Sequence, residues 1–471
     1  MESAKLVAER LRFDPRVAEA KRLLREALTE QTASLAPRES LPELREEYDA
    51  MLAEFAALRG GALYYPFLGS GAGRGSLVEL ANGGVKYDMI TGIGVHACGH
   101  NHPQLLDLQI DAALEDTVMQ GNLQQNRESL EVCRRLVKLA RRQGASIDHC
   151  FLTSSGAMAN ENALKILFQH RRGASRILAF DNAFAGRSIV LSQVTDRPQY
   201  RAGVPATIPV DFVPFYDLDQ PEASLRNAVE TLRRHLTRYP DAHCGFMMEL
   251  VQGEGGYRTA PREFFTALCQ ELRQANVPIY FDEIQTFGRT HAPFAFQMLQ
   301  LDEYVDVATV GKMTQVCATL FHEKLKPKPG LLSQTFTSST SALLAANYIL
   351  RQLDEGDYFG ESGRNAEVHR RFRERFEALR KRRPQIISGP WGVGGMIAFT
   401  AFDGSSEMAK QVLFELYAAG VIAFAAGAAP TRIRFLPSLL AIADEEIDSV
   451  CDLVERTLLR IDASQADGGE A

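Results

Sequence analysis

Val277-Pro278-Ile279-Tyr280-Phe281-Asp282-Glu283 and Val305-Asp306-Val307-Ala308-Thr309-Val310-Gly311-Lys312 are short apolar runs, each closed by residues that carry chemistry. A strand that is apolar almost throughout, rather than at every second position, is one covered on both faces, which is the habit of parallel sheets packed between helices. Four further runs read the same way: 149–153, 176–180, 211–215 and 245–250. From about residue 103 helical segments separate these runs. The chain therefore reads as successive βαβ units and a mostly parallel sheet.

In open α/β sheets, ligands gather at the carboxyl ends of the strands. Glu249, Asp282 and Lys312 all fall at such ends. Their spacings, 282 − 249 = 33 and 312 − 282 = 30, are each near the length of one βαβ unit, so the three should project towards one crevice. The run 149–153 leads into Thr153-Ser154-Ser155-Gly156-Ala157 and a helix bearing Asn160, Glu161 and Lys165. Free N–H groups and the dipole make such a helix start an anion site, although an ordinary N-cap fits the same residues. Asn182-Ala183-Phe184-Ala185-Gly186-Arg187 offers an aromatic plate and a guanidinium, or equally a packed loop with a solvated arginine. Gln252-Gly253-Glu254-Gly255-Gly256 follows Glu249. A lysine between apolar flanks is pushed towards its neutral, nucleophilic state. Amine, acid, aromatic plate and anion turn are together what pyridoxal phosphate requires: a Schiff-base partner, a carboxylate for the pyridinium nitrogen, a face for the ring and donors for the phosphate.

The rest of the chain narrows the alternatives. Its 471 residues are 45% hydrophobic and 24% charged, an ordinary globular balance with material for two or three domains. The net charge, 52 − 59 = −7, leaves no basic footprint for nucleic acid. Seven scattered cysteines without a C-x-x-C pair suit a reducing compartment. Residues 1–14 lack the apolar core of a signal peptide, and the most apolar run, 416–430, is too short to span a bilayer. A cytoplasmic protein without a membrane partner is expected. Residues 1–58 read as helical. A glycine-rich stretch, 60–75, follows, and then a hairpin of 76–80 and 85–90 around Asn82-Gly83. From about 346 helices return, followed by strands at 396–399 and 433–435, and by a polar, mobile tail from Asp462. His96, Cys98, His100 and His102 have metal-ligand chemistry, but ordinary packed histidines are the better reading, and no metal is expected. Gly69-Ser70-Gly71-Ala72-Gly73-Arg74-Gly75 does not match G-x-G-x-x-G, and Gly311-Lys312 followed by Met313 is not a P-loop.

With these residues in place, the chain resembles the class III (ω-type) aminotransferases of the fold-type I pyridoxal-phosphate superfamily over roughly residues 60–456. It is nearest to the ornithine, acetylornithine, lysine 6- and 4-aminobutyrate aminotransferases. The resemblance rests on Gly99-His100-Asn101-His102-Pro103, Ser155-Gly156-Ala157, Phe184-x-Gly186-Arg187, Glu249-x-Val251-Gln252-Gly253-Glu254, Asp282-Glu283-x-Gln285, Gly311-Lys312, Thr335-Phe336 and Ile433-Arg434-Phe435. It implies a seven-stranded, mostly parallel sheet flanked by helices, with a smaller α+β domain built from both chain ends. The bounds implied are 1–58 for a helical extension, 59–102 and 346–461 for the small domain, 103–345 for the large cofactor domain and 462–471 for the tail.

By resemblance, Lys312 forms the Schiff base and moves the substrate proton, while Asp282 holds the pyridine nitrogen protonated. Gln285 contacts the phenolic oxygen and Phe184 stacks on the ring. Ser155, Gly156 and Ala157 hold the phosphate, and Glu249 belongs to the cofactor site. Thr335 reaches the phosphate of a neighbouring subunit, which implies a homodimer. Arg187 and Arg434 take substrate carboxylates, and Glu254 pairs with Arg434 when the donor brings none. The implied reaction moves an amino group, a terminal one in this group, to 2-oxoglutarate. An aminomutase or decarboxylase of the same fold is the alternative. Three positions depart from the family pattern: Ala185, Leu250, and Thr337-Ser338-Ser339-Thr340 in place of Gly-Gly-Asn-Pro.

Overall fold

A computed structural model describes residues 6–115 and 121–468. The chain divides into two units: Met1–Asp116 with Val368–Pro390 and Ile397–Ala471, and Thr117–Glu367 with Trp391–Met396.

The second unit is built on a seven-stranded sheet. Its strands lie in the order His149–Thr153, Cys317–Phe321, Val307–Val310, Ile279–Glu283, His243–Met248, Arg176–Phe180, Val210–Val213. Ile279–Glu283 pairs in parallel with Val307–Val310 on one side and His243–Met248 on the other. Arg176–Phe180 is parallel to both of its neighbours. Cys317–Phe321 alone runs antiparallel, between Val307–Val310 and His149–Thr153. The six runs read from sequence are all strands, with ends displaced by a few residues. The seventh, Cys317–Phe321, is not among those runs. A single helical turn, Lys312–Thr314, and a left-handed Gln315 separate it from the strand before, so the chain reverses without the long crossover that marks a βαβ unit.

The apolar runs are buried as their composition demands. Ile177, Leu178, Ala179, Phe180, Phe246 and Phe281 have no exposed surface. Helix Gly156–His170 lays Ala163, Leu164, Ile166 and Leu167 against the sheet, the i, i+3, i+4 pattern of a core-facing stripe. The strand bearing Asp282 ends one residue later in Glu283, which is wholly buried. Glu283 accepts hydrogen bonds from the Thr286 hydroxyl and from the N–H groups of Ala295 and Phe296, the latter two at 3.0 Å. It thereby caps the short helix Ala295–Met298 and fixes the loop that leaves Asp282. Burial pushes this carboxyl up to about 7 against those donors.

The first unit contains the helices Pro15–Thr32 and Arg45–Arg59 of the expected extension. Its hairpin, Leu77–Leu80 with Val85–Asp88, is antiparallel about the Asn82-Gly83 turn. The glycine-rich stretch, for which no element was expected, contributes the strand Gly69–Arg74. A Cβ on Gly73 would lie 2.4 Å from His100 Cβ and 2.6 Å from the Leu77 carbonyl, so close approach requires glycine there. A further antiparallel set comprises Met396–Ala401, Arg432–Phe435 and Phe424–Ala426. The helix Asp444–Gly468 runs through Asp462, where a mobile tail was expected. Ion pairs of Arg371, Arg375, Arg382 and Arg383 with its acidic side chains line that helix, the last to Asp462 itself. The outermost parts of the expected extension and tail, 1–5 and 469–471, lie outside the described residues.

Replacing Glu283 with Ala leaves three donors unpaired and should cost about 1–3 kcal/mol of stability for each that finds no other acceptor. The change should appear as a lower urea midpoint at unchanged slope, with Glu283→Gln losing less because it keeps one acceptor.

Candidate active site

Because Val307–Val310, Ile279–Glu283 and His243–Met248 are neighbours in the sheet, the residues at their carboxyl ends meet. Lys312, Asp282 and Glu249 all line one cavity of about 300 Å³, together with Gly156, Ala157, Phe184, Arg187, Glu254 and Gln285. Lys312 is half-buried and has a left-handed backbone, φ +50°, uncommon for a residue with a side chain and a frequent mark of functional sites. The preceding glycine is required by space: a Cβ on Gly311 would stand 2.9 Å from Cys317 Sγ and 3.1 Å from Ile284 Cδ1.

Asp282 is held from behind by a closed polar network. The Asn160 amide donates to Asp282 Oδ2 at 2.8 Å and to the Ala185 carbonyl at 2.7 Å. The Asn160 oxygen accepts from the Tyr280 hydroxyl and, at 2.9 Å, from the Thr309 hydroxyl. Both donors and both lone pairs of the amide are thus used. The Ile284 N–H binds the other carboxyl oxygen of Asp282 at 2.9 Å. Burial raises this acid to about 6, opposed by Ile284, Asn160 and the Lys312 charge. Tyr280 and Thr309 were not singled out from sequence, and Asn160 was read only as part of the anion turn. Their signal was a hydroxyl within each of two otherwise apolar runs.

Glu249 stands one residue beyond its strand. Its oxygens accept from the Phe184 N–H at 2.8 Å and the Gly253 N–H at 3.0 Å, tying together the loops that carry Phe184 and Glu254. Burial and then the neighbouring Asp282 push it up to about 8, against those two N–H groups and Lys312. A Cβ on Gly253 would lie 2.6 Å from Gln285 Oε1, so the glycine lets Gln285 close against the loop. The Phe184 loop is further fixed by Thr195, whose hydroxyl oxygen accepts from the Ala185 N–H at 2.9 Å and donates to the Gly186 carbonyl at 2.8 Å. Ala185, a departure from the family pattern, is buried beside Ala183 and Leu191 and also lines the cavity of Lys312.

Ser155 is the N-cap of helix Gly156–His170, its hydroxyl accepting from the Met158 N–H at 3.2 Å. Gly156 and Ala157, in the first turn, face the cavity. Arg187 is exposed and lies over the Tyr200 ring, 3.9 Å from its centroid. Thr335 is exposed and lies outside the cavity lining. Arg434 belongs to the other unit, buried on Arg432–Phe435 with its guanidinium 5.6 Å from the Phe424 ring centre. Of the histidine cluster, His100 pairs with Asp88 at 3.0 Å and His102 caps helix Pro103–Leu114.

An acid and a lysine share one cavity with an aromatic face and a glycine-bearing helix start, so this set fits pyridoxal phosphate. The class-III aminotransferase family model matches residues 66–458, and the chain belongs to that family. It is a pyridoxal-phosphate-dependent class-III aminotransferase. L-lysine-epsilon aminotransferase of Mycobacterium tuberculosis is 29% identical over 416 residues, 82% of this chain and 90% of that protein. Mitochondrial acetylornithine aminotransferase of Saccharomyces cerevisiae is 27% identical over 395 residues, 81% and 89% of the two chains. The solved lysine aminotransferase of M. tuberculosis superposes with a TM-score of 0.76 at 24% identity, covering 86% of this chain and 98% of that one.

Asn160→Ala should weaken cofactor binding about tenfold to a hundredfold, the equivalent of one charge-assisted hydrogen bond, as read by fluorescence titration of the cofactor-free protein. A second expectation concerns pH. Glu249 ionises near 4.5 in the unfolded chain and near 8 in the folded one, so the folded state holds the extra proton between those values. Its contribution to stability is then lost as pH rises through that window. Thermal melts of cofactor-free wild type, compared with Glu249→Gln, should show the difference falling from about pH 4.5 to about pH 8 and level above.

Proposed function

We propose that this chain transfers the terminal amino group of an amino acid, with lysine, ornithine, N-acetylornithine and 4-aminobutyrate as candidate donors, to 2-oxoglutarate in a ping-pong cycle. The observation that carries the reading is Lys312 and Asp282 lining one cavity from adjacent strands. Bound there, pyridoxal phosphate supplies a reactive aldehyde and an electron-withdrawing ring. Lys312 anchors it, then takes the proton from the substrate carbon and returns it. Asp282, held by Asn160 and Ile284, keeps a proton at the ring nitrogen.

Ser155, Gly156 and Ala157 hold the phosphate at the helix start, Phe184 covers the ring and Gln285 meets the phenolic oxygen. Glu249 keeps the loops of Phe184 and Glu254 in register. Arg187, exposed at the cavity lining, takes a substrate carboxylate through two parallel hydrogen bonds. Glu254 is a further acidic group of that lining, with Glu249 and Asp282. Thr335, exposed and outside this cavity, suits the phosphate of a neighbouring subunit in a homodimer. The assignment of a carboxylate to Arg434 rests on the resemblance alone.

Relatives named for acetylornithine and for lysine stand at similar identity, and one methylene in a pocket discriminates by only about 1–3 kcal/mol. The donor is therefore set by experiment. All seven cysteines are free thiols, which suits a reducing compartment such as the cytoplasm. Among the described residues no helix is long and apolar enough to cross a membrane.

The test is a panel of these donors with 2-oxoglutarate, following glutamate formation. Glutamate from a terminal amine supports the proposal, and none from any amine, with cofactor bound, rejects it in favour of a mutase or decarboxylase. Lys312→Ala should lower kcat by about 10²–10⁴-fold and release the cofactor on dialysis.

A further inference from the structure

Five of the seven cysteines, Cys98, Cys244, Cys269, Cys317 and Cys451, are buried. The two that keep exposed surface, Cys133 and Cys150, are neighbours. Cys133 lies on helix Arg127–Ala140 and Cys150 on strand His149–Thr153. Cys133 Sγ is 3.9 Å from the Cys150 carbonyl oxygen, which accepts from the Cys133 thiol. Both open on a second cavity of about 400 Å³, apart from the one that holds Lys312, whose walls also carry Asn122, Gln125, Asn126 and Ser129. Neither thiol has a part in the transamination chemistry.

We propose that Cys133 and Cys150 form a dithiol site that a low-molecular-weight disulfide, R–S–S–R, oxidises to an intramolecular disulfide. The Cys133 thiolate attacks one sulfur of the reagent, forming a mixed disulfide and expelling R–S⁻. Cys150 then gives up its proton and attacks the Cys133 sulfur, releasing the second R–S⁻. The two protein sulfurs lose two electrons, the reagent gains them, and the two thiol protons leave as two R–SH. The division of labour follows from the surroundings. The interaction of the two thiols lowers Cys133, while that interaction and burial raise Cys150 above the usual range. One sulfur is thus prepared to attack and the other to resolve. The amide and hydroxyl groups of the wall stand among Leu130, Phe151 and Leu152, and they give a reagent such as oxidised glutathione hydrogen-bond partners inside a mostly apolar cleft. The crosslink would join the helix to the strand whose next turn holds Ser155. The site does not depend on which amine the enzyme uses.

The holoenzyme is incubated with oxidised glutathione, alkylated in denaturant and mapped by mass spectrometry. Expected is a species lighter by two hydrogen atoms, with the Cys133 and Cys150 peptides joined and the link reversed by dithiothreitol. Cys150→Ser should stop at a glutathione adduct on Cys133, and Cys133→Ser should accumulate little adduct. Separate alkylation of Cys133 and Cys150 in the treated wild type, a lasting glutathione adduct there, or a link through any of the five buried cysteines overturns the proposal.

Discussion

A carboxyl group at the end of a fully covered strand is tolerable only if its surroundings supply hydrogen bonds in place of water. At Asp282 that supply is the Ile284 N–H and the amide of Asn160, whose four bonding positions are divided among Asp282, Ala185, Tyr280 and Thr309. The partners come from two adjacent strands, one helix and one loop. The acid is therefore positioned by the sheet itself, and the relation of the lysine to the acid is a matter of strand order. A rigid parallel sheet with chemistry at its carboxyl ends delivers such placement without depending on mobile segments.

The sheet was legible because its strands are buried on both faces and so write themselves as apolar runs. Spacings of 33 and 30 residues sufficed to line up Glu249, Asp282 and Lys312 before any coordinates. The strand Cys317–Phe321 escaped the same logic because it joins by a tight reversal, and a periodic reading built on crossovers has no place for it. Gly69–Arg74 escaped for the opposite reason. Its glycines look like a loop, yet at Gly73 neighbouring chain comes too close for any Cβ. The polar end of Asp444–Gly468 looked like a tail because its acids were read alone, without Arg383, just past the helix Arg364–Arg382, which pairs with Asp462.

At the site, residue types with a chemical signature were found, and those with only a supporting one were not. An acid or a lysine at a strand end stands out, whereas a tyrosine or threonine within a strand reads as ordinary β-former. Distinguishing Tyr280 and Thr309 from their neighbours required knowing that both hydroxyls reach the same amide.

The Glu249 clamp has a consequence for the breadth of substrates. One carboxyl group binds the backbone of two separate arms, so neither arm can shift to admit a bulkier molecule without drawing the other along. Amino-acid changes made on opposite walls to widen acceptance will therefore interact instead of adding, and laboratory evolution of this scaffold will advance by paired changes.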